Sequence, residues 1–307
     1  LHLSIRRQRQ MCIRDRLNRE LRRQIENPLA AKLLEDDFKN KNVVITGASR
    51  GIGLGIAKKL ASMGANIAVL AKTDIPHPKL PGTIHSAVEE IQSFGVKSIG
   101  LKTDIRFEEQ IEFSINKVIE EFGSIDILIN NASAISLFNT ETLPSKQFDL
   151  MNDINLRGTY LCSKICLEHL KKSTNPHILN MSPPITLKPK WFEKFTAYTI
   201  AKFGMSMCVI GMSEEYKKYN IAVNALWPKT AIDTAAIRML GGIVKPENCR
   251  TVDILSDAAF YILKRESKSY TGKFYIDEEV LAEEGIKDLD KYSVKLGEKL
   301  FTDLYLD

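Results

Sequence analysis

The chain has 307 residues, 44% of them hydrophobic and 26% charged, with a formal net charge of +5, which bounds it to one large or two small domains with room for a sizeable core. Residues 1–26 hold eight Arg, no Lys and three acids, so the surplus sits in the leader and the rest is neutral overall, which excludes a basic stripe for nucleic acid. No apolar run is long enough to span a membrane, and five cysteines without a C-x-x-C pair, with five scattered histidines, form no metal spacing and suit reduced thiols packed as small hydrophobes.

Residues 1–40 are expected to be a leader. Its arginines suggest a mitochondrial presequence, against which Asp15, Glu20 and Glu26 argue. The hexapeptide MCIRDR at 11–16 is what a transposon end used in library construction encodes, so residues 1–16 are expected to be adapter read-through.

The organising stretch follows at 42–60, NVVITGASRGIGLGIAKKL. Val43, Val44 and Ile45 form a β-branched run suited to a strand buried on both faces of a parallel sheet. Gly47, Gly51 and Gly53 allow a sharp turn and close approach to a ligand, and Ile56, Leu60 and Met63 share one helical face. A helix starting at such a turn presents free N–H groups to an anion, and a pyrophosphate fits. A second strand at 66–71 ends at Lys72, where NAD-binding versions of the fold place an acid; with Arg50, a cation there suits a 2′-phosphate, so NADP(H) is the expected cofactor despite Asp74 nearby.

Residues 73–82 hold three prolines and are expected to be irregular. A helix near 84–94, a strand at 98–103 closed by Asp104, a helix at 108–122 and a strand at 125–129 come next, the last running into Asn130-Asn131-Ala132-Ser133. As a residue of the loop, Asp104 also suits a helix cap. Residues 143–170 form a long helical pattern through Asn155, and 177–181 a strand followed by Ser182-Pro183-Pro184. A helix at 198–219 carries Tyr198 and Lys202 four apart on one face. A sixth strand at 221–226 leads into Trp227-Pro228-Lys229-Thr230, 231–242 is expected to be a mobile lid, and a helix at 252–264 precedes a last strand at 273–277. Alternating strands and helices predict a doubly wound, Rossmann-type α/β fold, a parallel sheet of about seven strands with helices on both faces. Residues 278–307 are charge-rich and predict a C-terminal extension or linker outside the nucleotide fold, 41–277.

TGASRGIG at 46–53, NNAS at 130–133, Asn155 and the Tyr198/Lys202 pair, in that order, resemble the short-chain dehydrogenase/reductase family. The resemblance implies cofactor contacts from Gly47, Ala48, Ser49, Arg50, Gly51, Ile52, Gly53, Lys72, Asp104 (against the adenine), Asn131, Lys202 (nicotinamide ribose), Pro228 and Thr230. It implies a catalytic set of Tyr198, Lys202, Asn155 and Ser182, with Asn155 bending its helix and completing a proton relay. An ammonium beside a phenol favours the phenolate, making Tyr198 a candidate general acid for ketone reduction and base for alcohol oxidation. A second Y-x-x-x-K, Tyr160 and Lys164, lies before the fifth strand and is expected to be ordinary helix surface.

Three positions depart from the family's pattern. Ser133 stands for the Gly of N-N-A-G, Lys229 for the Gly of P-G-x-x-x-T, and Pro183 for the second Ser of a Ser-Ser pair whose hydroxyl donates to the substrate carbonyl. The expected function is an NADP-dependent oxidoreductase acting on a carbonyl or alcohol of a small lipophilic, fatty-acyl or steroid-like, substrate. A nucleotide-binding, catalytically weak lipid-binding or regulatory protein is the alternative. The resemblance favours a homo-oligomer and a peroxisomal or mitochondrial place; no targeting signal is identifiable, so the cytoplasm is the default.

Overall fold

A computed structural model describes residues 37–306 apart from 78, 79, 240, 241 and 243, so the expected leader and adapter segment lie, up to residue 36, outside the described residues. The first half of the chain alternates β1 (Asn42–Thr46), α1 (Gly51–Ser62), β2 (Asn66–Ala71), α2 (Ile84–Gln92), β3 (Ser98–Lys102), α3 (Glu108–Phe122) and β4 (Ile127–Asn130). The second half has α4 (Ser145–Met151), α5 (Thr159–Leu170), β5 (His177–Asn180), α6 (Thr196–Glu215), β6 (Ala222–Trp227), α7 (Ala235–Met239), α8 (Asp253–Lys264), β7 (Phe274–Ile276) and α9 (Asp277–Glu283). The strands form one sheet in the order β3-β2-β1-β4-β5-β6-β7, parallel at every pairing. This is the expected doubly wound fold. Chain order reverses between β1 and β4, and there the crevice outside the strand ends opens to a ligand.

The apolar runs in the strands have a direct structural cause. Side chains alternate across a strand, and here Val43, Ile45, Ile67 and Val69 enter one core layer, under α1, α2 and α8. Val44, Ala68, Leu70 and Leu128 enter the other, under α3, α5 and α6. A third, smaller cluster lies beyond the strand ends and includes Met151, Tyr198, Phe203, Trp227 and Tyr305.

The long helical pattern of 143–170 is broken by a π-helical segment, Asn152–Gly158, between α4 and α5. Such i→i+5 turns recur at functional sites, and Asn155 sits in the middle of this one, fully buried. Tyr160 is half exposed on α5, and Lys164 pairs with Glu108 at 2.8 Å, so this second pair is helix surface as expected. The anticipated lid contains the short helix α7, and part of it lies outside the described residues.

The tail differs from the detached linker that its charges suggested. Val280 and Leu281 of α9 are buried against α8, and Tyr292 is buried with its hydroxyl donating to Asp257 at 2.7 Å. Val294 N–H donates to Cys249 O at 3.0 Å and Phe301 N–H to Asn248 O at 2.9 Å, so the chain runs back along 248–251. Thr302 then bridges to Thr230 in antiparallel fashion, bringing residues 301–305 across the end of β6. A few well-spaced apolar anchors suffice to dock a charged segment whose other side chains remain in water. Residues 37–40, read as leader, also join the domain: Phe38 is buried with its ring 5.6 Å from that of Phe260.

Candidate active site

The glycine turn builds the anion end of the crevice. Gly47 and Gly51 have φ of +68° and +58°, conformations that cost a side-chain-bearing residue free energy. A Cβ on Gly47 would stand 2.7 Å from Ala132 Cα, and one on Gly53 2.4 Å from Asn131 Nδ2. The turn is therefore packed against the NNAS segment. Asn131 Nδ2 donates to Thr46 O at 3.0 Å and Gly47 O at 3.1 Å, while Thr46 Oγ1 accepts from the N–H groups of Asn131 and Ala132 at 3.1 Å each. Helix α2 has a complete capping box from Thr83 and Ser86, whereas α1 has no side-chain cap at all. Its leading N–H groups are left for an anion. At the opposite end Thr230 Oγ1 is buried and unpartnered. The residues present thus fit a dinucleotide.

At the ribose end Lys72 is exposed just past β2. Asp74 is drawn away by His85 Nε2 at 2.7 Å and Lys102 Nζ at 3.5 Å, and the His85 bond with the Lys102 charge holds its carboxyl below the usual value. Arg50 Nη2 donates to Gly82 O at 2.9 Å, and burial lowers the guanidinium's pKa. Asp104 does not cap α3, whose N-cap residue is Phe107. Its carboxylate accepts the Arg106 fork, the shortest bond being 2.6 Å; burial opposes ionisation there, and the fork outweighs it.

Of the four catalytic candidates, Tyr198 and Lys202 line a cavity of about 570 Å³, and Asn155 and Ser182 do not. Ser133, Tyr198, Lys202, Trp227, Thr234 and Asp303 stand on its otherwise mainly apolar wall. Asn155 grips the backbone beside Ser133: Oδ1 accepts from Ala134 N–H at 2.8 Å, and Nδ2 donates to Ala134 O at 2.9 Å. Lys202 Nζ donates to Met181 O at 2.7 Å and lies 5.1 Å from the centre of the Trp227 ring. Burial pushes its pKa down to about 7, and the Asp303 carboxylate works against that fall.

Two expectations need correction here. The Tyr198 phenol is not lowered: burial pushes it well above its ordinary value, and Tyr305 and Asp303 add to the shift. Lys202 is turned to the Met181 carbonyl, and burial weakens its charge. Ser182 is fully buried with Oγ unpartnered, and it is not on the cavity wall. Ser133 is on that wall and is exposed there. The clue was present in the sequence as a hydroxyl gained after β4 and one lost after β5. Asp277 and Asp303 were missed entirely. Asp277 Oδ1 accepts from Lys229 N–H at 2.8 Å, fixing the loop after β6, and burial pushes its carboxyl up to about 7.

A parallel sheet with a closely packed glycine turn at its switch point, and a Tyr/Lys helix beside it, defines a fold of the Rossmann type. Residues 41–240 match the short chain dehydrogenase family, and the chain belongs to it. The same fold is seen in an NAD+-bound xylitol dehydrogenase (TM-score 0.66, 22% identity) and in a metagenomic short-chain oxidoreductase in complex with NADP (TM-score 0.64, 22% identity). The chain is 59% identical over 263 residues to hydroxysteroid dehydrogenase-like protein 2 of Xenopus tropicalis and 57% over 265 residues to that of Danio rerio. Each match covers 86% of this chain but only 63% of the relative, so the chain spans less than two thirds of their length. A putative dehydrogenase from Xanthomonas campestris shares the fold at a TM-score of 0.86 with 47% identity, over 88% of this chain and 99% of that one.

Proposed function

We propose that the chain is an NADP-dependent reductase of a carbonyl on a small lipophilic substrate. The observation that carries this reading is the meeting of Tyr198 and Lys202 on one mainly apolar cavity whose floor adjoins the uncapped start of α1. Bound reduced nicotinamide supplies the hydride to the carbonyl carbon. Tyr198 supplies the proton to the oxygen, and a phenol kept neutral by burial is suited to give it up in reduction. Lys202 orients the nicotinamide ribose from within the same wall. Ser133 donates to the substrate oxygen in the role that Pro183 cannot fill, having neither hydroxyl nor N–H. Asn155 holds the Ser133–Ala134 backbone for that purpose.

Lys72 supports the choice of NADP, because Asp74, the acid that would favour NAD, is occupied by His85 and Lys102. Exposed Ile200, Met207 and Ile210 on α6 suit a homo-oligomer. The replacement at position 183 favours one competing reading, a nucleotide-binding protein with weak catalysis. NADPH consumption across a panel of apolar aldehydes and ketones separates the two. We expect steady turnover that Tyr198→Phe lowers by about 10²-fold or more while NADPH still binds. No turnover with any member in the wild type, with NADPH bound, supports the second reading.

A further inference from the structure

The end of the described chain forms part of the cavity wall as a strap, through Phe301, Asp303 and Leu304. Ala231 N–H donates to Phe301 O at 2.8 Å, Asp303 N–H to Lys229 O at 3.1 Å, and Trp227 Nε1 to Leu304 O at 3.0 Å. Tyr305 adopts φ +71°, a left-handed conformation rare for a side-chain-bearing residue. It is held there by rings on three sides, with centroids at 5.1 Å (Phe203), 5.8 Å (Trp191) and 6.0 Å (Trp227), and by Thr199 Oγ1 at 3.3 Å from its hydroxyl. Strain kept by so many contacts marks a segment whose position matters. What this position accomplishes is to set one carboxylate, Asp303, on a wall shared with Tyr198 and Lys202.

Resting on the reading of those two residues as the catalytic pair, we propose that Asp303 is a positioning residue, the counter-charge to the buried Lys202, held on the shared wall by a strap that bonds, through Leu304 O, the same Trp227 whose ring Lys202 faces. Its own geometry is fixed, since Oδ1 accepts from Leu304 N–H at 2.6 Å. Burial raises the Asp303 carboxyl to about 6, against the pull of that bond and of Lys202. Among the described residues, Asp303 is the charge that offsets the burial of Lys202, and it also raises Tyr198, Tyr305 and Cys249. From the segment before α6, Lys190, Glu193 and Lys194 face the same cavity. Lys229, after β6, meets Asp303 through its backbone carbonyl.

The signs agree for reduction. That direction needs Tyr198 protonated and Lys202 charged, and an anion raises both pKa values. Removing it must make activity fail at lower pH, whichever of the two groups sets the limit.

Lys202 is titrated directly by 13Cε-lysine NMR on the whole chain, assigned with Lys202→Met. Asp303→Asn keeps the acceptor for Leu304 N–H and removes only the charge. We expect the Lys202 pKa to fall by about one unit or more, a tenfold change in its acidity, with Asp303→Glu restoring it and Glu193→Gln leaving it unmoved. The alkaline limb of kcat/KM for reduction should move down with it, at nearly unchanged NADPH affinity. An Asp303→Asn protein whose Lys202 titrates as in wild type overturns the proposal. Should that variant fold poorly, Asp303→Ser, which also retains an acceptor, is read in the same way. The NMR titration needs no substrate. Turnover that survives in Tyr198→Phe would remove Tyr198 as the proton donor, and no turnover in the wild type would sink the reductase reading; either leaves the Asp303 result standing.

Discussion

The two ends of the crevice are built on different plans. At the glycine-turn end the surface comes from one contiguous stretch, 46–53, and consists of backbone: a positive-φ glycine turn and the start of α1, which has no side-chain cap. At the substrate end Ser133, Tyr198, Trp227 and Asp303 arrive from four separate segments and present side chains. Backbone recognition leaves a compact pattern of glycines, because only glycine fits. Side-chain recognition can be rebuilt residue by residue, with a hydroxyl moved from one loop to another and a carboxylate brought in from the tail.

The largest effect should follow from damage to the backbone end. Gly47→Ala forces a Cβ to within 2.7 Å of Ala132 Cα at φ +68°, and neither backbone can yield cheaply. We expect NADPH affinity, measured by calorimetry, to fall at least about a hundredfold, roughly 2.7 kcal/mol. Affinity within threefold of wild type would mean that the turn relaxes without cost and that the motif is less demanding than its packing indicates.

Deleting residues 301–307 tests the other plan. Loss of the strap removes Asp303 and the ring of Tyr305 from beneath Trp191 and Trp227. Turnover is expected to fall by about a hundredfold, as for a misplaced catalytic group, with NADPH affinity changed less than threefold. If affinity fell as far as turnover, the two ends would be one energetic unit and the contrast between them would fail.

This asymmetry also explains what could be read in advance. The sheet, its parallel order and the glycine turn were legible because strand–helix alternation and β-branched runs are local signals, and Val43, Val44 and Ile45 declare a strand buried on both faces. Tyr198 and Lys202 were legible through a four-residue spacing and their place after the fifth strand. Asp303 was not, because nothing around position 303 shows that Thr302 will pair with Thr230, 72 positions earlier in the chain. The tail looked like a linker since its anchors, Val280, Leu281, Tyr292 and Tyr305, are few and widely separated. The phenol's pKa was misjudged for a related reason: spacing places Lys202 near Tyr198 but does not reveal that both are buried and that Lys202 Nζ bonds Met181 O.

A smaller effect is expected at Lys72, where recognition is by one exposed cation. Lys72→Asp should weaken NADPH by about 10–100-fold, the loss of one charge-assisted contact worth on the order of 1.5–3 kcal/mol. NADH should change less than threefold. Equal losses for both nucleotides would remove the 2′-phosphate from the account of this residue.

The smallest effect distinguishes two serines. Ser182 precedes the prolines after β5, one residue before the place where the family pattern expects a substrate donor, and it is buried off the cavity wall. Ser133 follows β4 and is on the wall, with the adjacent Ala134 held at both its N–H and its C=O by Asn155. Preorganised donors matter most where charge develops on the substrate oxygen, and loss of one can cost about 10²–10³ in kcat. Tyr198 remains as a second donor, so Ser133→Ala should lower kcat by about tenfold, toward the mild side of that range, with KM little changed. Ser182→Ala should alter kcat less than twofold, its unpartnered hydroxyl being replaced by a methyl group in a closed site. A large drop in kcat for Ser182→Ala with none for Ser133→Ala would show that the donor stayed after β5, reached through a backbone shift at Pro183, and that the cavity wall is rebuilt when substrate binds.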